Sequence, residues 1–562
     1  MLLESSRRDG APAVRLVQAL RLAAVMAAIV MALPVFRDAA VVHGPPLTED
    51  GYYALAVARN LAHGLGMTID GETLSNGFQP LFTVIESLAF TLGGTSETLC
   101  LRFVFLFAWL FHVAGALMCA AFVRDLWPAP NGSEERDLRG PLAAIFYLGS
   151  PLLFGHAYNG LATGCVLFFY LTTLRHLQTG GAETPRGRLV LGVLIGLLVL
   201  ARIDAAFFAV AIGLHLLWAN RHAGAFAAVL RAGIVAGVAL AVSGPWWAYN
   251  ILDFGSFLPT SGEALQATGL TPARAHYALW ALRAVFMPWL FFGQMDDHIG
   301  YATSLPYYWG FGYISAASTL RLVLIALLGF ALWRAVRNRA FAGDLAALRS
   351  ADMHEARRGL AGLGLLAAAM VPLVVYYTFF FGSYWFYYRY FMPVAILPFV
   401  AAPIVVARLR FAAAGRARGF ASAAVLAAGL QAFLWPTLAY AGWTFNPEAV
   451  YFDQVKLVAA NVPADDVVAA GQSGTLGYFR AHVVNTDGKV NLDALHFKGR
   501  IWEYLRRRGI GWYVDWPFYV NRHLGVPLDP ATGLPVPAGN GWKVVAQRNG
   551  FYLYHYEPAA RP

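Results

Sequence analysis

Residues 141–175 read PLAAIFYLGSPLLFGHAYNGLATGCVLFFYLTTLR, an apolar run with Arg139 just before it and Arg175 at its end. A hydrocarbon core of about 30 Å takes roughly 20 helical residues, so this run is too long for one crossing and too apolar for water. Gly149-Ser150-Pro151 and Asn159-Gly160 interrupt it, and such residues favour turns over continued helix. The stretch therefore predicts two spans, 141–157 and 160–177, that leave one side of a membrane and return to it. Residues 189–219 repeat the pattern as 189–201 and 205–219, broken at Arg202-Ile203-Asp204, with Arg186 and Arg188 before and Arg221 and Arg231 after. Working outward, apolar runs at 16–35, 99–123, 232–249, 315–333, 360–381, 391–407 and 420–440 bring the expectation to about 11 transmembrane helices.

Composition agrees over the whole length. Of 562 residues, 58% are hydrophobic and 13% charged, against roughly 45–50% and about 25% in soluble domains. This excludes a soluble enzyme, a disordered chain, a disulfide scaffold and a single-span receptor. Cys100, Cys119 and Cys165 lie in apolar runs without metal-type spacing and read as small buried hydrophobes. The net charge of +10 does not point to nucleic acid: Lys456, Lys489, Lys498 and Lys543 all lie in the last fifth, and the earlier arginines fall mostly between apolar runs. With the N-terminus inside, the connectors 124–140, 175–188, 220–231, 334–358 and 408–418 hold 18 Lys/Arg in 79 residues, and the outer stretches 36–98 and 250–314 hold 4 in 128. That asymmetry orients the chain. Arg7, Arg8 and Arg15 ahead of the first run suit an uncleaved start-transfer helix.

Two domains are expected: an all-α polytopic membrane domain, 1–445, and a small extracytoplasmic α/β domain, 446–562. In the second, 466–471, 482–485, 511–516, 542–547 and 551–556 read as short strands, and 497–508 as a basic amphipathic helix. Gln472-Ser473-Gly474 reads as a plain strand-to-helix connection, because it lacks the glycine pattern and lysine of a phosphate loop. No catalytic set is visible there, so this domain is expected to shape acceptor access. Asn131-Gly132-Ser133 matches a glycosylation sequon but falls on the cytoplasmic side.

Chemistry concentrates in the first outer loop, 36–98, which carries seven acids (Asp38, Glu49, Asp50, Asp70, Glu72, Glu86 and Glu97). In Thr48-Glu49-Asp50-Gly51-Tyr52-Tyr53, two carboxylates stand beside two tyrosines close to the membrane surface. The pair can open a helix and complement its dipole, or supply a base near a lipid headgroup. The run that follows, YYALAVARNLAHGLGMTIDGETLSNGFQPLF (52–82), goes from helix to Gly-rich break to Asn-Gly-Phe-Gln-Pro-Leu turn.

Here the sequence resembles the GT-C superfamily of membrane glycosyltransferases, and more narrowly the branch of bacterial cell-wall arabinofuranosyltransferases. The likeness continues in order through Asn159-Gly160-Leu161-Ala162-Thr163, Ala201-Arg202-Ile203-Asp204, 252–263 and Tyr388-Arg389-Tyr390-Phe391-Met392-Pro393, spanning most of 10–440. It departs from that pattern at Ala162, where the branch usually has Glu, after Pro259-Thr260-Ser261, where Glu263 stands in place of a basic residue, and in having Glu49-Asp50 for Asp-Asp.

The resemblance implies a GT-C type fold and an inverting glycosyltransferase that takes a sugar, such as arabinofuranose, from a polyprenyl-phosphate donor. The acceptor is a cell-envelope glycan or a protein, and the site faces outward from a bacterial plasma membrane. Asp50 is then the general base, supported by Glu49. Arg389 and Arg202 fall at the outer ends of spans, where a charged group costs ~2.5–3.5 kcal/mol on insertion scales, and are candidates for the donor phosphate. Arg202 can equally pair with Asp204, and Arg389 can stack in its aromatic run. Arg59 reads as a structural partner of the loop's acids. Tyr53, Asp70, Asn76, Gln79 and Tyr388, with His43, are candidates for sugar or acceptor contacts, with turn-forming roles equally open to Asp70 and Asn76. No cofactor is expected, and a divalent metal is not favoured. A flippase of lipid-linked sugars is the rival reading; that class tends to show internal repeats and midplane charges, which are not evident here.

Overall fold

In a computed structural model, residues 2–126, 137–290, 353–412, 416–442, 450–536 and 540–557 are described. The expected span 315–333 and the sequon at Asn131 lie outside them. Five described helices, Val14–Phe36, Glu97–Arg124, Ala225–Phe254, His354–Phe380 and Ala421–Tyr440, are long and apolar enough to cross a membrane, and Tyr384–Tyr390 with Met392–Ala407 forms a further pair bent by 46°.

The two stretches expected to form hairpins are helical but fold as shorter pieces than the expected spans. Residues 141–177 fold as Arg139–Leu148, Pro151–Ala157 and Thr163–Gln178. The first break is set locally: Ser150 accepts the Leu153 amide at 3.1 Å and Pro151 starts the next helix, an N-cap followed by the one helical position that proline suits. Pro185–Ala201 and Ala206–Ala219 form the second pair, parted at Arg202. Thr163–Gln178 is buried along most of its length, packed against the helices Glu97–Arg124, Pro185–Ala201 and His354–Phe380.

The terminal unit has five strands, β1 (Val468–Ala470), β2 (Val483–Asn485), β3 (Trp512–Asp515), β4 (Trp542–Arg548) and β5 (Phe551–Tyr556), in the order β2-β1-β3-β5-β4. All five coincide with the strands read from the sequence. β1 runs parallel to both β2 and β3, and β5 runs antiparallel to β3 and β4. Parallel neighbours need crossovers, supplied by Gly474–Phe479 and by Leu492–His496 with Ile501–Arg507.

This unit is packed onto the helix Glu49–Ala62. Tyr52, Tyr478, Phe479, Phe452 and His43 form an aromatic cluster across the seam. Arg59 donates to the Tyr478 carbonyl at 2.9 Å and lies over that ring. Its partner is therefore the terminal unit, not the acids of its own loop, because the helix Glu49–Ala62 packs on Gly474–Phe479 and brings Arg59 to Tyr478.

Candidate active site

Asp50 is the second residue of the helix Glu49–Ala62. Thr48 caps that helix by accepting the Gly51 amide at 3.2 Å, and its own hydroxyl donates to the Asn159 carbonyl at 3.0 Å. Gly51 sits against the same carbonyl with no space for a side chain. The Asn159-Gly160 turn thus seats the helix start that presents Asp50.

Arg389 Nη1 donates to Asp50 Oδ2 at 2.7 Å, and Lys489 Nζ lies 3.7 Å from Asp50 Oδ1 and 3.1 Å from Asp487 Oδ2. The three side chains of Asp50, Arg389 and Lys489 are 22%, 15% and 14% exposed, so the charges interact at lower dielectric than in bulk water. Burial alone would raise the Asp50 pKa, but Lys489 and then Arg389 outweigh it and hold the carboxyl at about 2. Lys489 is pushed the other way: burial lowers its pKa, while Asp487 and Asp50 raise it well above the usual value.

Arg389 is fixed on its remaining sides. Its Nη2 donates to Tyr390 at 3.0 Å, its guanidinium lies over the Phe386 and Tyr390 rings, and its carbonyl accepts from Arg202 Nη1 at 3.0 Å. Arg202 is itself clamped on Asp204, to which Tyr377 also donates at 2.7 Å. It carries the backbone of Arg389 and also borders a cavity of about 80 Å³ shared with Asp50, Tyr53, Gln79 and Lys489.

A larger cavity of about 530 Å³ opens on the other side of Asp50. The helical domain supplies His156, Trp385, Phe386, Tyr388, Arg389 and Trp435 to its wall, and the terminal unit supplies Lys489, Lys498, Trp516, Phe518, Tyr519 and Arg522. Both units contribute aromatic rings, and the cations Arg389, Lys489, Lys498 and Arg522 stand among them. Such a wall suits a ligand with a hydrocarbon end and an anionic end.

The remaining candidates divide. Tyr388 faces the large cavity between His156 and Trp280, and Gln79 faces the small one. Tyr53 borders the small cavity, but its hydroxyl is engaged by Ser473 and by the Gly471 carbonyl. Asp70 closes its own exposed turn, accepting the Thr73 amide at 2.6 Å and the Thr73 hydroxyl at 2.8 Å, and borders neither cavity. Asn76 is buried between Asn250 and the Thr260 amide, tying two connectors together away from both cavities. His43 packs in the aromatic seam and borders neither.

Glu49 borders the large cavity, yet its carboxylate accepts from the Gly474 and Thr475 amides and the Thr475 hydroxyl, the start of the helix after β1. Its pKa is raised by burial, against those hydrogen bonds. The expected plain connection at Gln472-Ser473-Gly474 therefore does bind an anion, one supplied by the chain itself.

Lys489 was not singled out by sequence reasoning, and the structure places it, from the terminal unit, beside Asp50. The one signal available was that every lysine lies in that part of the chain. Among the described residues, no three His, Cys, Asp or Glu side chains gather as a metal set.

No family model matches the chain, and the curated proteins give no match. Among solved structures, the chain is similar to ArnT from Cupriavidus metallidurans bound to undecaprenyl phosphate, with a TM-score of 0.49 and 13% identity over 96% of this chain and 98% of that one. It is likewise similar to the apo oligosaccharyltransferase of Archaeoglobus fulgidus, with a TM-score of 0.49 and 14% identity over 88% of this chain and 69% of that one.

Proposed function

We propose that this protein is an inverting glycosyltransferase of GT-C type that moves a sugar from a polyprenyl-phosphate donor to a hydroxyl of a cell-envelope glycan or protein, at the outer face of a bacterial plasma membrane. The observation that carries this reading is the Asp50–Arg389 pair at the wall of a cavity lined by aromatic rings from both units and by the cations Arg389, Lys489, Lys498 and Arg522. A lipid-linked donor presents matching chemistry: a hydrocarbon tail, a phosphate, and an anomeric carbon at the membrane surface. Arg389 takes the phosphate by charge-assisted hydrogen bonds, and Asp50 receives the acceptor's proton. Both Asp50 oxygens face cations, so charge stabilisation is assigned to side chains, with no metal or other cofactor. The sequence resemblance favours arabinofuranose as the sugar.

The test is product formation. Purified protein in vesicles, given a synthetic short-chain polyprenyl-phosphate pentose and an acceptor glycan, should yield glycosylated acceptor and free polyprenyl phosphate. Lipid movement across the vesicle without any glycosylated product would establish the flippase instead.

The phosphate assignment has its own check. Arg389→Lys keeps the charge but loses the planar fork, and should lower kcat more than it raises KM, by about 1–3 kcal/mol in total. An unchanged kcat would remove Arg389 from the reaction. Orientation is checked by labelling: an impermeant thiol reagent applied to intact cells should modify cysteines placed at Thr73 and at Asn540 but not at Asn338, and protection of Asn540 would mean that a span has been miscounted.

A further inference from the structure

Lys489 is carried on the loop after β2, and the helical domain holds that loop in place. The Thr260 hydroxyl donates to the Lys489 carbonyl at 2.8 Å, and Gly77 lies against the same carbonyl with no room for a side chain. Two connectors of the helical domain therefore set the backbone from which the ammonium reaches Asp50. Lys489 borders both cavities beside Asp50, and a third of about 50 Å³ that the terminal unit forms with Ala264 and Leu265 of the helical domain. Neutralising Asp487 would not by itself require a lysine aimed at the carboxylate that serves as base. An ammonium with three donors on a flexible stem can serve two acceptors and change between them.

We propose that Lys489 is a catalytic residue: with Arg389 it holds Asp50 before the donor binds, then turns to the departing phosphate as the sugar is transferred. This rests on the donor reading above. The acceptor oxygen forms a bond to the anomeric carbon while the carbon–oxygen bond to phosphate breaks, and that electron pair stays on the phosphate. The hydroxyl proton goes to Asp50. Negative charge thus disappears from the carboxylate as it appears on the phosphate, and the net charge of the site is unchanged. The two cations that matched the first anion then match the second. A carboxyl held at about 2 by two cations is a weak base, and it gains proton affinity as the phosphate draws them away, which places donor binding before acceptor activation. The terminal domain in this scheme completes the reacting site.

The experiment uses the full chain in lipid nanodiscs, with short-chain polyprenyl phosphate as the probe. Lys489→Gln should weaken probe binding by about tenfold or more, as expected for a charged hydrogen bond, both in the wild type and in the Asp50→Asn background. It should lower kcat more than it raises donor KM, and Lys489→Arg should recover most of the affinity. Weakening in the wild-type background alone would mean that Lys489 acts only on Asp50, and the phosphate role would fall. If the wild type binds no probe and forms no product, the donor reading fails together with this one; if it binds and transfers while Lys489→Gln is indistinguishable, the Lys489 role alone fails.

Discussion

Asp50→Asn should abolish most transfer, by at least ~10²-fold, the usual worth of a positioned general base, while the protein stays folded and still binds polyprenyl phosphate. The amide has the shape of the carboxylate and keeps an oxygen for Arg389 Nη1, now 2.7 Å from Asp50 Oδ2. Lys489 retains Asp487 at 3.1 Å, so neither cation is stranded. What is lost is the site that receives the proton. Thermal unfolding in detergent checks the fold, equilibrium binding of the lipid phosphate checks the donor site, and single-turnover transfer reports the chemistry. Near-wild-type turnover in Asp50→Asn would end the assignment.

Glu49→Gln should act through stability, and strongly. Glu49 is 4% exposed and its two oxygens receive three hydrogen bonds from Gly474 and Thr475. A glutamine keeps one acceptor and turns an NH₂ toward donors, so it loses a charge-assisted bond and leaves a buried amide facing another donor, at a cost of about 2–3 kcal/mol. The change loosens the seam between the helix Glu49–Ala62 and the terminal domain. Limited proteolysis should release the terminal domain faster than in the wild type, and transfer should fall because Lys489 is no longer held at Asp50. The two substitutions are separable: Asp50→Asn leaves the seam intact, and Glu49→Gln does not. Unchanged proteolysis in Glu49→Gln would show that the seam is held elsewhere.

The sequence by itself determined the helical membrane architecture, the five strands of the terminal unit and the helix start that carries Glu49 and Asp50. Hydrophobic runs, arginine flanks, the Ser150-Pro151 break and the short β-branched and aromatic runs of β1 to β5 are local signals, set by solvent, backbone sterics and side-chain shape, and each is complete within a few residues. Thr48-Glu49-Asp50 is of the same kind, a cap followed by first-turn acids. Tertiary structure decided the division of labour between those acids. Glu49 and Asp50 are adjacent in sequence and project from one helix start at different angles, so Glu49 meets the amides of Gly474 and Thr475 while Asp50 meets Arg389 and Lys489. The same holds for Arg202, whose pairing with Asp204 is local but whose support of the Arg389 carbonyl is not. Lys489 could not be read from its neighbours, because its place depends on Gly77, Thr260 and Asp50, which only the packing of two domains brings together. Long-range electrostatic partners carry no sequence period, and their identity is fixed by distance in the folded chain.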